Sequence, residues 1–169
     1  MTPVPEMRRA TPADATAMAD AHIDSIRSLG PAFYSAELVE AWSAAVSPGM
    51  YVRAMAGGEV FFIALDSVDG TAAVLGFASH VPNGGDDGAS CYVRGGVARR
   101  GIGSALWRLA EAHARAQGAA AITIESSLAG VEFYRAQGFV EIEPCEVRLS
   151  GVSIPCVLMR KTLTGARAE

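Results

Sequence analysis

Apolar residues recur along this chain with two different periods. Ala15, Met18, Ala19, His22, Ile23 and Ile26 fall three or four apart, the spacing of one helix face, which makes His22 a packed residue. Thr11-Pro12-Ala13-Asp14 opens that helix with a capping hydroxyl, a proline at the first helical position and an acid three residues after the cap. Gly30-Pro31 closes it, and Ser35 caps a second helix whose apolar face carries Leu38, Val39 and Trp42. Short apolar runs follow at 60–65 and 72–78. With Asp66-Ser67-Val68-Asp69-Gly70 between them they predict a hairpin.

Residues 81–88 hold the densest cluster of turn formers, expected to be mobile, and lead into a strand over 89–94. Helical spacing then returns, with Ile102, Ala105, Leu106, Leu109, Ala110 and His113 on one face and Ser104, Arg108, Glu111 and Arg115 on the other. Gly118 ends that helix, a strand occupies 120–125, and a short helix stops at Gly138. Strands near 139–148 and 152–160 turn at Ser150-Gly151. Pro155 cannot donate to a ladder and predicts an irregular start or a bulge. With a first strand near 7–10, the pattern describes an α/β (mixed α+β) domain over 1–161 with one central, mostly antiparallel mixed sheet and about four helices; 162–169 reads as a frayed tail.

Composition narrows the function. The 169 residues are 50% hydrophobic, enough for a single core, and the formal net charge of −4 gives no basic face for nucleic acid. No apolar run approaches the ~20 residues of a membrane span and the N-terminus has no signal-peptide core, so the expectation is a soluble, cytoplasmic protein with no membrane partner. Cys91, Cys145 and Cys156 are too few and scattered for a disulfide framework and share no ligand spacing with the histidines. They read as buried thiols, with no metal site.

The candidate chemistry sits at Val97-Ala98-Arg99-Arg100-Gly101-Ile102-Gly103-Ser104-Ala105-Leu106, where a basic, glycine-containing turn enters a helix. The first N–H groups of a helix have no intrahelical acceptor and carry the positive end of its dipole, so this turn is a seat for a phosphate-bearing ligand. It lacks the Gly-Lys-Ser/Thr of a P-loop and the Gly-x-Gly-x-x-Gly of a dinucleotide fold. Residues 98–103 resemble instead the acyl-CoA pyrophosphate loop of the GNAT acetyltransferase superfamily, Gln/Arg-x-x-Gly-x-Gly/Ala, with Ala98 at the Gln/Arg position. A second match in register, Phe133-Tyr134-Arg135-Ala136-Gln137-Gly138-Phe139, is similar to that superfamily's Phe-Tyr-x-x-x-Gly-Phe motif, while Ser126-Ser127 replaces its commoner Asn lead-in.

The resemblance implies a GNAT-like sheet splayed at the cofactor cleft between 89–94 and 120–125, and acetyl-CoA as co-substrate. Its contacts would come from Tyr92, Val93, Ala98, Arg99, Arg100, Gly101, Ile102, Gly103, Ser104 and Ser127. It also implies Tyr134 as general acid and the Val93 backbone N–H as oxyanion donor. The base is open between Glu125, His80 and an ordered water. Phe33 and Tyr34 are candidates to wall a pocket for a small-molecule amine. A protein N-terminal acetyltransferase and a non-catalytic acyl-CoA sensor are the competing readings. A covalent route through Cys91 is weighed beside them, and the oligomeric state is open, a homodimer included.

Overall fold

The computed structural model describes residues 4–68 and 71–163, leaving Asp69 and Gly70 of the hairpin turn and the tail 164–169 outside the described residues. Among these, the elements run in the order β1 (Glu6–Arg9), α1 (Ala15–Leu29), α2 (Ala36–Ala45), α3 (Pro48–Ala56), β2 (Val60–Val68), β3 (Thr71–Val81), β4 (Asp86–Val93), α4 (Ile102–Ala116), β5 (Ala121–Ser127), α5 (Val131–Ala136), β6 (Val140–Leu149) and β7 (Val152–Thr162). Their strands form one seven-stranded sheet, ordered β1-β2-β3-β4-β5-β7-β6. Every pairing is antiparallel except β4 with β5.

Local chemistry explains most boundaries. Thr11 and Asp14 form the capping box ahead of α1, and Arg8 adds a paired contact to the Asp14 carboxylate at 2.9 Å. That contact, with the Thr11 N–H, holds the Asp14 pKa down at about 2. Ser35 caps α2 by accepting from the Leu38 N–H at 3.2 Å. The sequence pattern gave no helix over 47–56, yet α3 lies there, with Pro48 in its first turn and Tyr51 buried.

The sheet separates two hydrophobic layers. Against one face, α1, α2 and α3 bury Met18, Ile26, Trp42, Tyr51, Phe61 and Phe77; against the other, α4 and α5 bury Leu106, Trp107, Ala110, Ile122, Tyr134 and Phe139. The stripe of α4 is rotated from the predicted one: Trp107 is 1% exposed, while Leu109 is 36% exposed. The bulky indole faces the sheet because it is edge-on to Tyr134 and Phe139, with ring centres 5.9 and 5.4 Å away.

Four further expectations change in the structure. Pro155 stays in register opposite Glu146, one residue beyond the last β5–β7 pair, and the irregularity falls between Glu141 and Glu143 of β6 instead. Cys145 and Cys156 are cross-strand partners joined as a disulfide, not separate thiols; Cys91 alone is free. Thr162 closes β7 and Leu163 is buried, its N–H bonded to Ala120 and its carbonyl to Arg115, where the sequence began a frayed tail. The turn-rich loop before β4, expected to be mobile, is organised by Asp87, which accepts from the Asn83 and Gly85 N–H groups at 2.8 and 3.0 Å. No helix among the described residues is long and apolar enough to cross a membrane.

Candidate active site

The sheet has one seam that does not close. β4 and β5 pair only at Asp86 with Ala121 and at Asp87 with Ile122; beyond these the two parallel strands part. Arg94 donates its N–H to Leu75 at 2.8 Å, and β3 pairs with β4 without a slip. Antiparallel alternation therefore turns the N–H and C=O groups of Tyr92 and Ser90 towards β3 and those of Val93, Cys91 and Ala89 outward, into the gap. An opened seam thus presents strand-edge donors and acceptors to a guest. The gap is part of a cleft of about 1010 Å³ that also takes in α1, the turn before α2, the mouth of α4 and α5.

At the mouth of α4 the backbone is shaped as an anion seat. Gly101 adopts φ +82°, and Arg99 is also left-handed at φ +62°, so the chain reverses sharply before Ile102. The first helical N–H to find a carbonyl is that of Ala105, which donates to Gly101. The N–H groups of residues 99–104 have no protein acceptor among the described residues and gather at the positive end of a 15-residue helix. The expected cradle is one residue shorter than the sequence suggested, because Ala98 spends its N–H on Gly95. Arg99 reaches the cleft; Arg100 is exposed and does not line it. Ile102 contributes its N–H only, since its side chain is buried in the core beneath α4.

Gly103 serves packing. A Cβ there would stand 3.2 Å from the Phe133 ring and 3.3 Å from Val93, so a hydrogen lets α5 close on α4 beside β4. Gln137, at the end of α5, fastens the same junction by donating to the Ser104 hydroxyl at 3.0 Å. Tyr134 is thereby fixed in the cleft wall beside Cys91. Burial drives its phenol pKa well above the usual 10, against a smaller opposing effect from the Cys91 N–H, so it stays protonated at neutral pH. Burial also pushes the Cys91 thiol up to about 12, which leaves no thiolate to act as a nucleophile.

The opposite side of the cleft is built by the other layer. Strand alternation sets Ser90 and Tyr92 of β4, and Glu125 and Ser127 of β5, on the α1–α2 face, and all four line the cleft. Phe33, 54% exposed, lines the cleft. Tyr34 is not a pocket wall: it is buried, donates its hydroxyl to the Pro155 carbonyl at 2.6 Å and accepts from the Leu128 N–H at 2.9 Å. That hydroxyl bolts the start of α2 to the ends of β5 and β7. Trp42, read from sequence as core, lines the cleft as well as the core. Its placement depends on how α2 crosses the sheet, and no local pattern announces it.

His80 does not face the cleft. It lies fully buried at the closed end of the seam, opposite Ala89, with Nε2 donating to Asp87 at 2.6 Å and Nδ1 2.9 Å from Nδ1 of His113 on α4. Burial works against the Asp87 carboxylate, yet donors from His80, Asn83 and Gly85 bring its pKa below the usual value. The seam opens at the other end of β4, where Val93 lies opposite Gly76 of β3. His22, as expected, is packed: burial depresses its pKa to about 3, and Nδ1 meets the Tyr51 hydroxyl at 2.6 Å.

A family model described as the acetyltransferase (GNAT) domain matches residues 32–163. This chain belongs to the GNAT acetyltransferase family. No curated protein sequence matches it. Among solved structures, a GCN5-related N-acetyltransferase from Rhodopseudomonas palustris is 30% identical, with a TM-score of 0.80 and coverage of 96% of this chain and 98% of its own. The PaiA N-acetyltransferase of Thermoplasma acidophilum, solved with coenzyme A, is 17% identical with a TM-score of 0.74, covering 93% and 98%. A YncA acetyltransferase from Salmonella typhimurium, solved with acetyl-CoA, is 16% identical with a TM-score of 0.64, covering 98% and 97%. At such identities the last two share the fold alone. The family model and the two sequence motifs place this acetyltransferase together, and the 99–104 turn and Tyr134 meet at one cleft. Among the described residues no cluster of three or more His, Cys, Asp or Glu is arranged to hold a metal.

Proposed function

We propose that this GNAT acetyltransferase uses acetyl-CoA to acetylate the primary amine of a small molecule. The observation that carries the reading is the open β4–β5 seam, which leads from unpartnered N–H groups at 99–104 to the protonated Tyr134 phenol. These groups fit a thioester-bearing nucleotide. The six amides and Arg99 suit a diphosphate, and the outward N–H and C=O groups of β4 suit an amide-bearing arm. Two solved structures of the same fold are described with coenzyme A or acetyl-CoA.

When bound, acetyl-CoA supplies the acyl group as an activated thioester. The protein then has three tasks. Val93 directs its backbone N–H into the seam, where it can donate to the carbonyl oxygen as negative charge develops. Tyr134, with its proton retained by burial, gives that proton to the departing sulfur as the C–S bond breaks and the C–N bond forms. Glu125, on the opposite face of the seam, takes the first proton lost by the incoming ammonium, directly or through water, and the second proton shed by the nitrogen as the amide forms restores the Tyr134 phenol. His80 has no part in this, because Asp87 and His113 occupy both its nitrogens away from the cleft.

The Tyr34 hydroxyl fixes the turn that carries Phe33, and the apolar wall of Phe33 and Trp42 supports a small acceptor over a protein N-terminus. Calorimetry with coenzyme A and thiol release from acetyl-CoA across an amine panel test the proposal. Binding together with amine-dependent thiol release supports it. Binding without release across the panel would leave an acyl-CoA sensor, and no binding would remove the cofactor assignment.

A further inference from the structure

Resting on the acetyl-CoA reading above, we infer the acceptor class from the charge inventory of the cleft: a monoamine carried on a flat apolar body, without a carboxylate. The residues contributed to the lining by α1, α2, β4 and β5 include one ionisable carboxylate, Glu125, and no Lys or Arg. The two lining arginines belong elsewhere, Arg99 to the α4 turn and Arg135 to α5, where it is paired with Glu141 at 2.9 Å. Arg27, on α1 itself, is exposed and does not line the cleft, and Arg94, which reaches α1 at Asp24, is committed to that carboxylate and to the Val74 carbonyl at 2.7 Å. An amino-acid acceptor would therefore bring its carboxylate into a partly desolvated space with no cation to receive it and with Glu125 to repel it.

On this side of the cleft one anionic group matches one ammonium, the other lining carboxylates, Glu132 and Glu141, standing with Arg135 on α5 and β6. Glu125 has no ion-pair partner among the described residues, so its charge is free to select a cation from solution. A polyamine would place its further charges against Leu29, Phe33 and Trp42, which offer no counter-charge. Those side chains, with Tyr92, form an aromatic and aliphatic wall instead. Trp42 and Tyr92 are already set at 75° with ring centres 6.4 Å apart, a geometry into which a further ring can pack edge to face. The same rings favour a cation close to their faces.

The test compares 2-phenylethylamine, phenylalanine and spermidine as acceptors, with acetyl-CoA binding measured separately by calorimetry. The expected result is kcat/KM higher for 2-phenylethylamine than for either of the others by about tenfold or more, the worth of one unpaired charge kept out of a partly buried site. Two variants at exposed positions leave the fold intact and read the wall directly. Phe33→Ala should raise KM for 2-phenylethylamine several-fold and leave acetyl-CoA affinity unchanged. Leu29→Arg, at the end of α1 where a cation suits the helix dipole, should move the preference towards phenylalanine by about tenfold. If acetyl-CoA binds and phenylalanine or spermidine is the better acceptor, or none of the three is turned over, the inference is overturned while the cofactor reading stands. If acetyl-CoA does not bind, both fall.

Discussion

The two sides of the β4–β5 seam are made of different material. On the α4 side the cleft is lined by backbone amides, fixed by one left-handed glycine and the first turn of a helix. On the α1–α2 side they are side chains brought together from Leu29, Phe33, Trp42, Tyr92 and Glu125, nearly a hundred positions apart in the chain. A backbone seat tolerates sequence change, because any residue but proline supplies an N–H. A side-chain wall does not. The difference explains how Ala98 can stand at a position where the superfamily motif has Gln or Arg without dismantling the seat, and under the proposed function it gives cofactor binding to one half of the cleft and acceptor choice to the other.

The largest effect should come from the residue at which the two halves meet. Replacing Tyr134 with Phe removes the hydroxyl and leaves the ring that packs on Trp107 and Phe139. We expect kcat to fall by about a hundredfold, the lower end of general-acid contributions, with coenzyme A affinity unchanged. Single-turnover thiol release and calorimetry read the two quantities. An unchanged kcat would mean that the sulfur leaves without Tyr134, and the seam would then be a binding site with its acid elsewhere.

The same contrast accounts for what the sequence could show. The geometry of the α4 side was legible because its information is local. Glycine spacing, a helix start and the Phe133-Tyr134 motif each lie within a few residues, and the periodicities found β2 to β5 and α4 in order. The α1–α2 side depends on how those helices cross the sheet, which no short pattern encodes. Phe33 was found there through its neighbourhood, while Tyr34 was assigned to the same wall and proved to be the bolt behind it. His80 was misplaced for a related reason: strand ends look equivalent in sequence, and only the pairing of Asp87 with Ile122 shows which end of the seam is shut. Ser47-Pro48 carried a helix-start signal that would have revealed α3. The Cys145–Cys156 pair needed the register of β6 and β7 to be seen.

A finer division within the cofactor half follows from Arg99 and Arg100, adjacent in sequence but not in role. Only Arg99 lines the cleft. Arg99→Ala should weaken coenzyme A binding by about tenfold at low salt and less as salt rises, because an exposed arginine acts on the diphosphate through a screened field. Arg100→Ala should change it by less than about twofold. Equal losses in the two variants would mean that long-range charge, and not contact, attracts the ligand.

The α1–α2 side carries a pH signature of its own. His22 lies behind Tyr92, ring centre to ring centre at 3.9 Å, and its pKa falls from the ordinary 6.5 to about 3 because burial penalises the imidazolium. The unfolded chain therefore binds a proton that the native one refuses between these values, and stability is lost as pH falls from about 6.5 towards 3. By pH 5 the loss should approach about 2 kcal/mol, readable as a falling urea midpoint. His22→Gln keeps an acceptor for the Tyr51 hydroxyl and removes the titration, so its stability should lose most of that pH dependence whatever its absolute level.

The smallest effect separates the wall from the chemistry. In Tyr34→Phe the ring stays against Trp42, 5.8 Å between centres, but the Pro155 carbonyl and the Leu128 N–H lose their shared hydroxyl. Two groups left without a partner at a half-buried site should cost about 1 kcal/mol of stability. Because the bolt spans α2, β5 and β7 and touches nothing at the α4 turn, the amine KM should rise a few-fold while coenzyme A affinity and the pH dependence of kcat stay as they were. A change in coenzyme A affinity as large as the change in KM would show that the seam moves as one body, and that the two halves cannot be tuned separately.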